Sequence, residues 1–334
     1  MTHNAVLVTA FLVAAIVSFA ASSALIVRLE RLGTRFGVTE AILGLIAAIA
    51  ADAPEISSAV TAVVRGEHTV GVGVILGANI FQLAALLGLG AVLAGRVRVD
   101  RRVTVFEGIP ALAMAVVAVL VVGGIVSPVI GVALGVVIFV PYVWLSSLSP
   151  QARQRVPLPR DLRDDTTQAL ADEEEDFTRV IGPGASHRSD GPIAVIMLLL
   201  VVGASVILER TASDFGASMN WSPLVVGAVV IAIVTSIPNV VAAVHLARKG
   251  RGAATMSEAM NSNRINTLAG LLVPAVFVGA GFAASVTAET KTLAWIYLVF
   301  TVVVLGWTLW RRGVGRFAGI ALLLAYLTLV GVLI

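Results

Sequence analysis

No cysteine occurs among the 334 residues, which excludes disulfides and thiolate metal sites and leaves the redox compartment unreadable from this residue. Histidine is almost as scarce, at four residues, and there is neither a His-rich metal motif nor a nucleophile elbow. An enzyme is therefore the least supported class, and no cofactor is expected. Charge is thin as well: 13% of residues are charged against 58% hydrophobic, with a mean hydropathy of +0.98. Such a chain is too apolar for a soluble domain and takes the lipid bilayer as its solvent. Also missing is a basic segment ahead of the first apolar stretch, which only Met1 to Asn4 precede. That stretch is expected to be a retained helix rather than a cleaved signal peptide.

Ten apolar stretches are long enough to cross a membrane as helices. They lie near 4–27, 38–63, 69–95, 103–122, 126–147, 191–209, 222–247, 253–283, 290–310 and 314–334. Because the runs are continuous and do not alternate, a β-barrel is excluded. The chain thus reads as an all-α polytopic membrane protein with two five-helix halves, 1–147 and 191–334.

Basic residues set the expected orientation. Four short loops hold thirteen of them: Arg28, Arg31 and Arg35; Arg96, Arg98, Arg101 and Arg102; Arg248, Lys249 and Arg251; Arg311, Arg312 and Arg316. The opposite side shows only Arg65, Arg210 and Lys291. The positive-inside rule makes the thirteen cytoplasmic and both termini external, as in a bacterial-type plasma membrane. The net charge of +3 follows from this topology and calls for no nucleic-acid partner. Between the halves, residues 148–190 carry six arginines (153, 155, 160, 163, 179 and 188) and the run Asp172-Glu173-Glu174-Glu175-Asp176. This segment reads as a solvated cytoplasmic linker, and the acidic run lacks the glycine-punctuated loop of an EF-hand.

One polar patch occurs twice, offset by 184 positions. The first copy is Ala51-Asp52-Ala53-Pro54-Glu55 followed by Asn79 and Gln82; the second is Thr235-Ser236-Ile237-Pro238-Asn239 followed by Asn263 and Asn266. The offset also carries Gly66 to Gly250. Five crossings separate the copies, and an odd number places them in opposite directions through the membrane. Such inverted, helix-breaking pairs point to a transporter's binding site. Pro54 and Pro238 are expected to kink their helices and free backbone carbonyls. Together with Asp52, Glu55, Thr235, Ser236 and Asn239, these make an oxygen-rich place suited to hard cations. Ala78 with Gln82, and Ser262 with Asn266, share helical faces; Asn79 and Asn263 adjoin them as supporting residues. Charged groups at membrane depth mark function by default, and Glu107, Glu258 and Arg264 join Asp52 and Glu55 in that class. His245 reads as interfacial rather than as a proton relay.

These residues resemble the α-repeats of the Ca²⁺/cation antiporter superfamily, which includes the sodium/calcium exchangers. The repeats cover 40–95 and 224–279. The resemblance implies ten helices in two inverted repeats, ion sites between helices 2, 3, 7 and 8, and inorganic cations as the transported partners. Carried over by position, the family's first glutamate is Glu55, and its threonine-serine pair falls on Ala51 and Asp52. The serine of the third helix falls on Ala78 and the ion-binding amide or acid on Gln82. Thr235, Ser236, Ser262 and Asn266 match in the second repeat, but the second glutamate is replaced by Asn239. Arg264 is the other departure. If it reaches the cavity it acts as a tethered cation that disfavours a divalent ion; if it faces a neighbouring helix, Asp52 and Glu55 retain charge enough for Ca²⁺. The expected function is exchange of Ca²⁺ for Na⁺ or H⁺ by alternating access. Na⁺/H⁺ exchange and a transport-inactive relative are the alternatives. A channel is disfavoured because inverted repeats suit alternating access.

Overall fold

Ten apolar stretches need ten hydrogen-bonded rods, because lipid offers no partners to backbone N–H and C=O groups. The computed structural model describes residues 3–36, 40–157, 159–178, 187 and 189–334, and in them that demand is met by helices. The first half comprises α1 (His3–Phe36), α2 (Glu40–Val64), α3 (His68–Ala94), α4 (Arg101–Val122) and α5 (Pro128–Ser147). A linker helix α6 (Arg160–Thr178) follows. The second half has α7 (Asp190–Ser218), a bent pair α8 (Pro223–Thr235) and α9 (Ile237–Arg248), then α10 (Gly252–Ala284), α11 (Ala288–Arg311) and α12 (Arg316–Leu333). Among the described residues nine helices are long and apolar enough to cross a membrane, or ten with the bent pair as one span.

Burial sorts the helices into an inner and an outer set. α3 is buried without a gap from Val70 to Ile80, and α10 from Gly252 to Ile265. A helix covered on all sides belongs at the centre of a bundle. Conversely, α1, α5, α7, α11 and α12 expose large apolar side chains such as Ile16, Val137, Leu199, Val303 and Leu327, which suits a lipid-facing surface. Central packing depends on missing side chains: a Cβ on Gly77 would overlap the backbone of Ala228 in α8, and one on Gly227 would overlap Val70 of α3.

The duplicated glycines close equivalent helix ends. Gly66 and Gly250 have φ of +81° and +77°. After α2, Gly66 N donates to Val63 O and Glu67 N to Ala62 O; after α9, Gly250 N donates to Ala247 O and Arg251 N to Leu246 O. Each pair is a Schellman closure, and every partner is displaced by the same 184 positions.

Two features depart from the sequence expectations. A two-stranded antiparallel ribbon joins β1 (Arg96–Arg98) to β2 (Gly313–Gly315), with Val97 opposite Val314, so one basic loop is stitched to another. The linker, expected to be solvated, includes α6, on which Ala169 and Leu170 are fully buried. Its buried positions Thr166, Ala169 and Leu170 follow helical spacing, so one face docks on the membrane-spanning body. Arg102 holds it from α4 through Asp165 at 2.6 Å. Arg179, Arg188 and the side chains of Glu173, Glu174 and Asp176 lie outside the described residues.

Candidate functional site

Asp52 and Glu55 stand three residues apart on α2, which puts both carboxylates on one helical face. Both are fully buried. Opposite them the chain breaks: α8 ends at Thr235, α9 begins at Ile237, and the two are bent by 48°. Ser236 occupies the break and Asn239 the first turn beyond it. The Ser236 hydroxyl donates to Glu55 Oε1 at 2.8 Å. Asn239 Nδ2 donates to Asp52 Oδ1 at 2.7 Å and lies 3.4 Å from Glu55 Oε1. From α3, Gln82 Nε2 donates to Glu55 Oε1 at 3.1 Å, and Asn266 of α10 donates to Gln82 Oε1 at 3.5 Å. Ser262, one turn earlier on α10, stands beside Asp52.

Two of these contacts join positions related by the internal repeat. Glu55 meets Asn239, and Gln82 meets Asn266, each pair separated by 184 positions. The axis relating the two halves therefore passes through this polar cluster. The donors satisfy only part of the oxygen inventory. Asp52 Oδ2, Glu55 Oε2, Asn239 Oδ1, Ser262 Oγ and Asn266 Oδ1 are buried with no hydrogen-bond partner among the described residues. Leaving buried polar atoms unpaired is costly, and two neighbouring buried carboxylates repel each other as well. Oxygens in surplus, with negative charge and no lysine or arginine among their hydrogen-bond partners, are the donor set of a hard-cation site.

Other sequence candidates fall in different places. Thr235 is buried, but its hydroxyl bonds back to Ile231 O and Ala232 O of its own helix. Asn79 donates to Thr267 of α10 at 3.1 Å, and so ties α3 to α10 as a supporting residue. Neither side-chain polar atom of Asn263 has a hydrogen-bond partner among the described residues. Pro238 lies just past the helix break, as expected of a kink. At Pro54, by contrast, α2 continues without interruption. The carbonyl it frees, on Ala50 one turn back, accepts from Ser22 of α1 at 2.9 Å. That oxygen thus serves helix packing, a correction to the expectation that both prolines supply open carbonyls. His245 is exposed near the end of α9.

Arg264 faces away from the carboxylates. Its guanidinium pairs with Glu107 of α4 and with Asn261 Oδ1 one turn before it, and stacks on Tyr142 of α5 at 3.7 Å from the ring centroid. Tyr142 in turn donates to Glu107 Oε1 at 3.0 Å. Arg264 and Glu107 are both fully buried. Helices α4, α5 and α10 are thereby fastened by a neutralised pair, and Glu107 binds an arginine rather than joining Asp52 and Glu55. Sequence reading singled out Arg264 and Glu107 but not Tyr142, which carries no charge to mark it. It also overlooked Glu209, fully buried at the end of an apolar run and paired with Arg65 at 2.9 Å. An isolated carboxylate at the edge of a hydrophobic stretch was the available signal.

Comparison with known proteins follows the same pattern. A family model described as sodium/calcium exchanger protein matches residues 6–149 and 192–334, leaving out the linker. A Drosophila melanogaster sodium/potassium/calcium exchanger, Nckx30C, is 28% identical over 148 residues, 42% of this chain and 17% of its own length. The inner membrane protein YrbG of Escherichia coli K12 is 41% identical over 63 residues, 19% of each chain. The aligned segments thus span under a fifth of the length of these two relatives. A solved structure of the sodium-calcium exchanger NCX_Mj soaked with Na⁺ and Sr²⁺ superposes with a TM-score of 0.64 at 18% identity, covering 98% of this chain and 99% of that one. Another, without Na⁺ and Ca²⁺, gives 0.60 at 19% identity, with coverage of 98% and 99%. Both share the all-α fold.

Proposed function

The chain belongs to the sodium/calcium exchanger protein family, and on that premise we propose that it is a secondary active antiporter exchanging Ca²⁺ for Na⁺ or H⁺. Exchange takes place by alternating access at the site of Asp52 and Glu55. One observation carries this reading: Asn239 Nδ2 reaches both carboxylates, at 2.7 and 3.4 Å. The charge absent from position 239 is thereby supplied by Asp52, from the same helix as Glu55. Each carboxylate keeps one oxygen without a hydrogen bond. Those two oxygens, the carbonyl oxygens of Asn239 and Asn266 and the Ser262 hydroxyl provide five donors, close to the six to eight that Ca²⁺ takes.

Electrostatics supplies the coupling. Two carboxylates at membrane depth are neutralised by one divalent cation, by two monovalent cations or by two protons. Each combination displaces the others, because a third positive charge would be buried without a partner. Arg264 does not compensate this site, since Glu107 neutralises it. The helix break at Ser236 exposes the site to rearrangement of α8 against α9, as broken helices do in transporters. Orientation follows from charge: the arginine-rich loops and linker face the cytoplasm of a plasma-type membrane and both termini face out.

Purified protein in proteoliposomes, with Ca²⁺, Na⁺ and pH gradients imposed one at a time, tests the proposal. The expected result is Ca²⁺ movement driven by an opposing Na⁺ or H⁺ gradient and abolished in Glu55→Gln. Na⁺-driven proton movement without Ca²⁺ flux would favour Na⁺/H⁺ exchange, to which the amide at Asn239 lends itself. Silence under all three gradients would count against transport, and undiminished flux in Glu55→Gln would remove the site.

A further inference from the structure

We propose that the hairpin of α11 and α12 holds one anionic phospholipid from the leaflet on the arginine-rich side. At the turn of this hairpin a cavity of about 410 Å³ is lined by Arg96, Arg311, Arg312 and Arg316, with no acidic residue in its wall among the described residues. All four are exposed. What they touch leaves their charge uncompensated: Arg96 donates to Arg311 O at 2.8 Å, and Arg316 Nε to Val92 O at 3.2 Å. Arg311 lies over the rings of Trp307 and Trp310. None of the four forms an ion pair with a carboxylate among the described residues. Four guanidinium groups around one hollow are a receptor for phosphate oxygens.

An apolar space lies next to the hollow. A groove of about 530 Å³ runs between α11 and α12, with Thr292 as the sole hydroxyl in a wall of aliphatic and aromatic side chains. Trp307 and Ala318 line both spaces, so the basic mouth adjoins the apolar groove. From Trp307 to Thr292 the groove follows fifteen residues of α11, about 22 Å at 1.5 Å per residue. This exceeds half of a hydrocarbon core of about 30 Å, giving room for the acyl chains of one leaflet. Small residues on α12 make that room, since Ala318, Ala321 and Ala325 recur at helical spacing along it. Trp310 and Phe317, 71% and 89% exposed, flank the mouth, where aromatic side chains settle at a membrane interface. A soluble anion would use the arginines alone. A phospholipid uses arginines and groove together, and a basic pocket above an apolar cleft between helices is the arrangement that binds anionic headgroups.

The test uses the full-length protein, delipidated in detergent and examined by native mass spectrometry. Dioleoyl phosphatidylglycerol, dioleoyl phosphatidylcholine and inorganic phosphate are titrated separately. Phosphatidylglycerol is expected to form a one-to-one adduct that outlasts the phosphatidylcholine adduct. Replacing Arg311→Gln together with Arg312→Asn, the latter because φ at 312 is +53° and asparagine tolerates it, is expected to weaken the adduct roughly 30-fold, about fivefold for each charge. Ala321→Phe with Ala325→Phe fills the groove and is expected to weaken lipid binding without altering phosphate binding. Arg312→Glu alone, at an exposed site, should act in the same direction and keeps the test open if a double variant does not assemble. Equal retention of the two lipids, phosphate binding as strong as lipid binding, or indifference to both double variants would overturn the proposal. The readout is independent of transport.

Discussion

Asn239 shows how one residue recasts a site. Where the family resemblance implies a second glutamate, this chain has an amide that donates to two carboxylates of one helix. Asp52, Glu55, Gln82, Ser236, Asn239 and Asn266 could be named from the duplicated pattern, and all six meet. The partner of Arg264 could not be named, because helical periodicity places a side chain on a face without saying which helix lies opposite. Burial now makes its loss predictable. Arg264→Leu strands Glu107 in the interior and should cost about 3 to 5 kcal/mol, the range for breaking a buried pair. Arg264→Leu combined with Glu107→Leu should recover much of that loss, because two apolar residues leave no unpaired charge. Thermal unfolding of the detergent-solubilised single and double variants measures both effects. A double variant no more stable than Arg264→Leu would show that the pair does not act as a unit.

At the level of elements, the two halves use one design with unequal endings. Gly66 and Gly250 terminate equivalent helices with the same hydrogen bonds. Yet α2 continues unbroken past Pro54 while its counterpart breaks at Ser236. Ser22 accounts for the intact side by donating to the carbonyl that Pro54 releases. Proline was legible in the sequence, whereas the hydroxyl that compensates it sits on another helix, 28 positions from the Ala50 carbonyl it reaches. Close approach is the second element-level condition. Gly77→Val should push α3 away from α8, because its side chain would meet the backbone of Ala228 rather than a movable side chain. The expected outcome is a large drop in folded yield, read by size-exclusion chromatography. Gly306→Ala, at a position with open space around it, should leave the profile unchanged.

For the whole molecule, orientation is the statement with the widest consequences. The absence of cysteine makes it directly testable, since any introduced thiol is unique. Gln151→Cys in the linker should react with a membrane-impermeant maleimide only from the cytoplasmic side, in everted vesicles. Ala288→Cys, at the first residue of α11, should react only from the outside of intact cells. The reverse pattern would invert the topology. The all-α membrane-spanning fold and the inverted duplication were readable from sequence, because apolar length and a fixed repeat offset are properties of the chain in one dimension. Tertiary structure alone decided three things: that Arg264 is neutralised by Glu107 and stacked on Tyr142, that the linker docks through Ala169 and Leu170, and that a basic mouth adjoins the groove between α11 and α12. Each depends on which side chain meets which across helices far apart in sequence, and only packing in three dimensions sets that pairing.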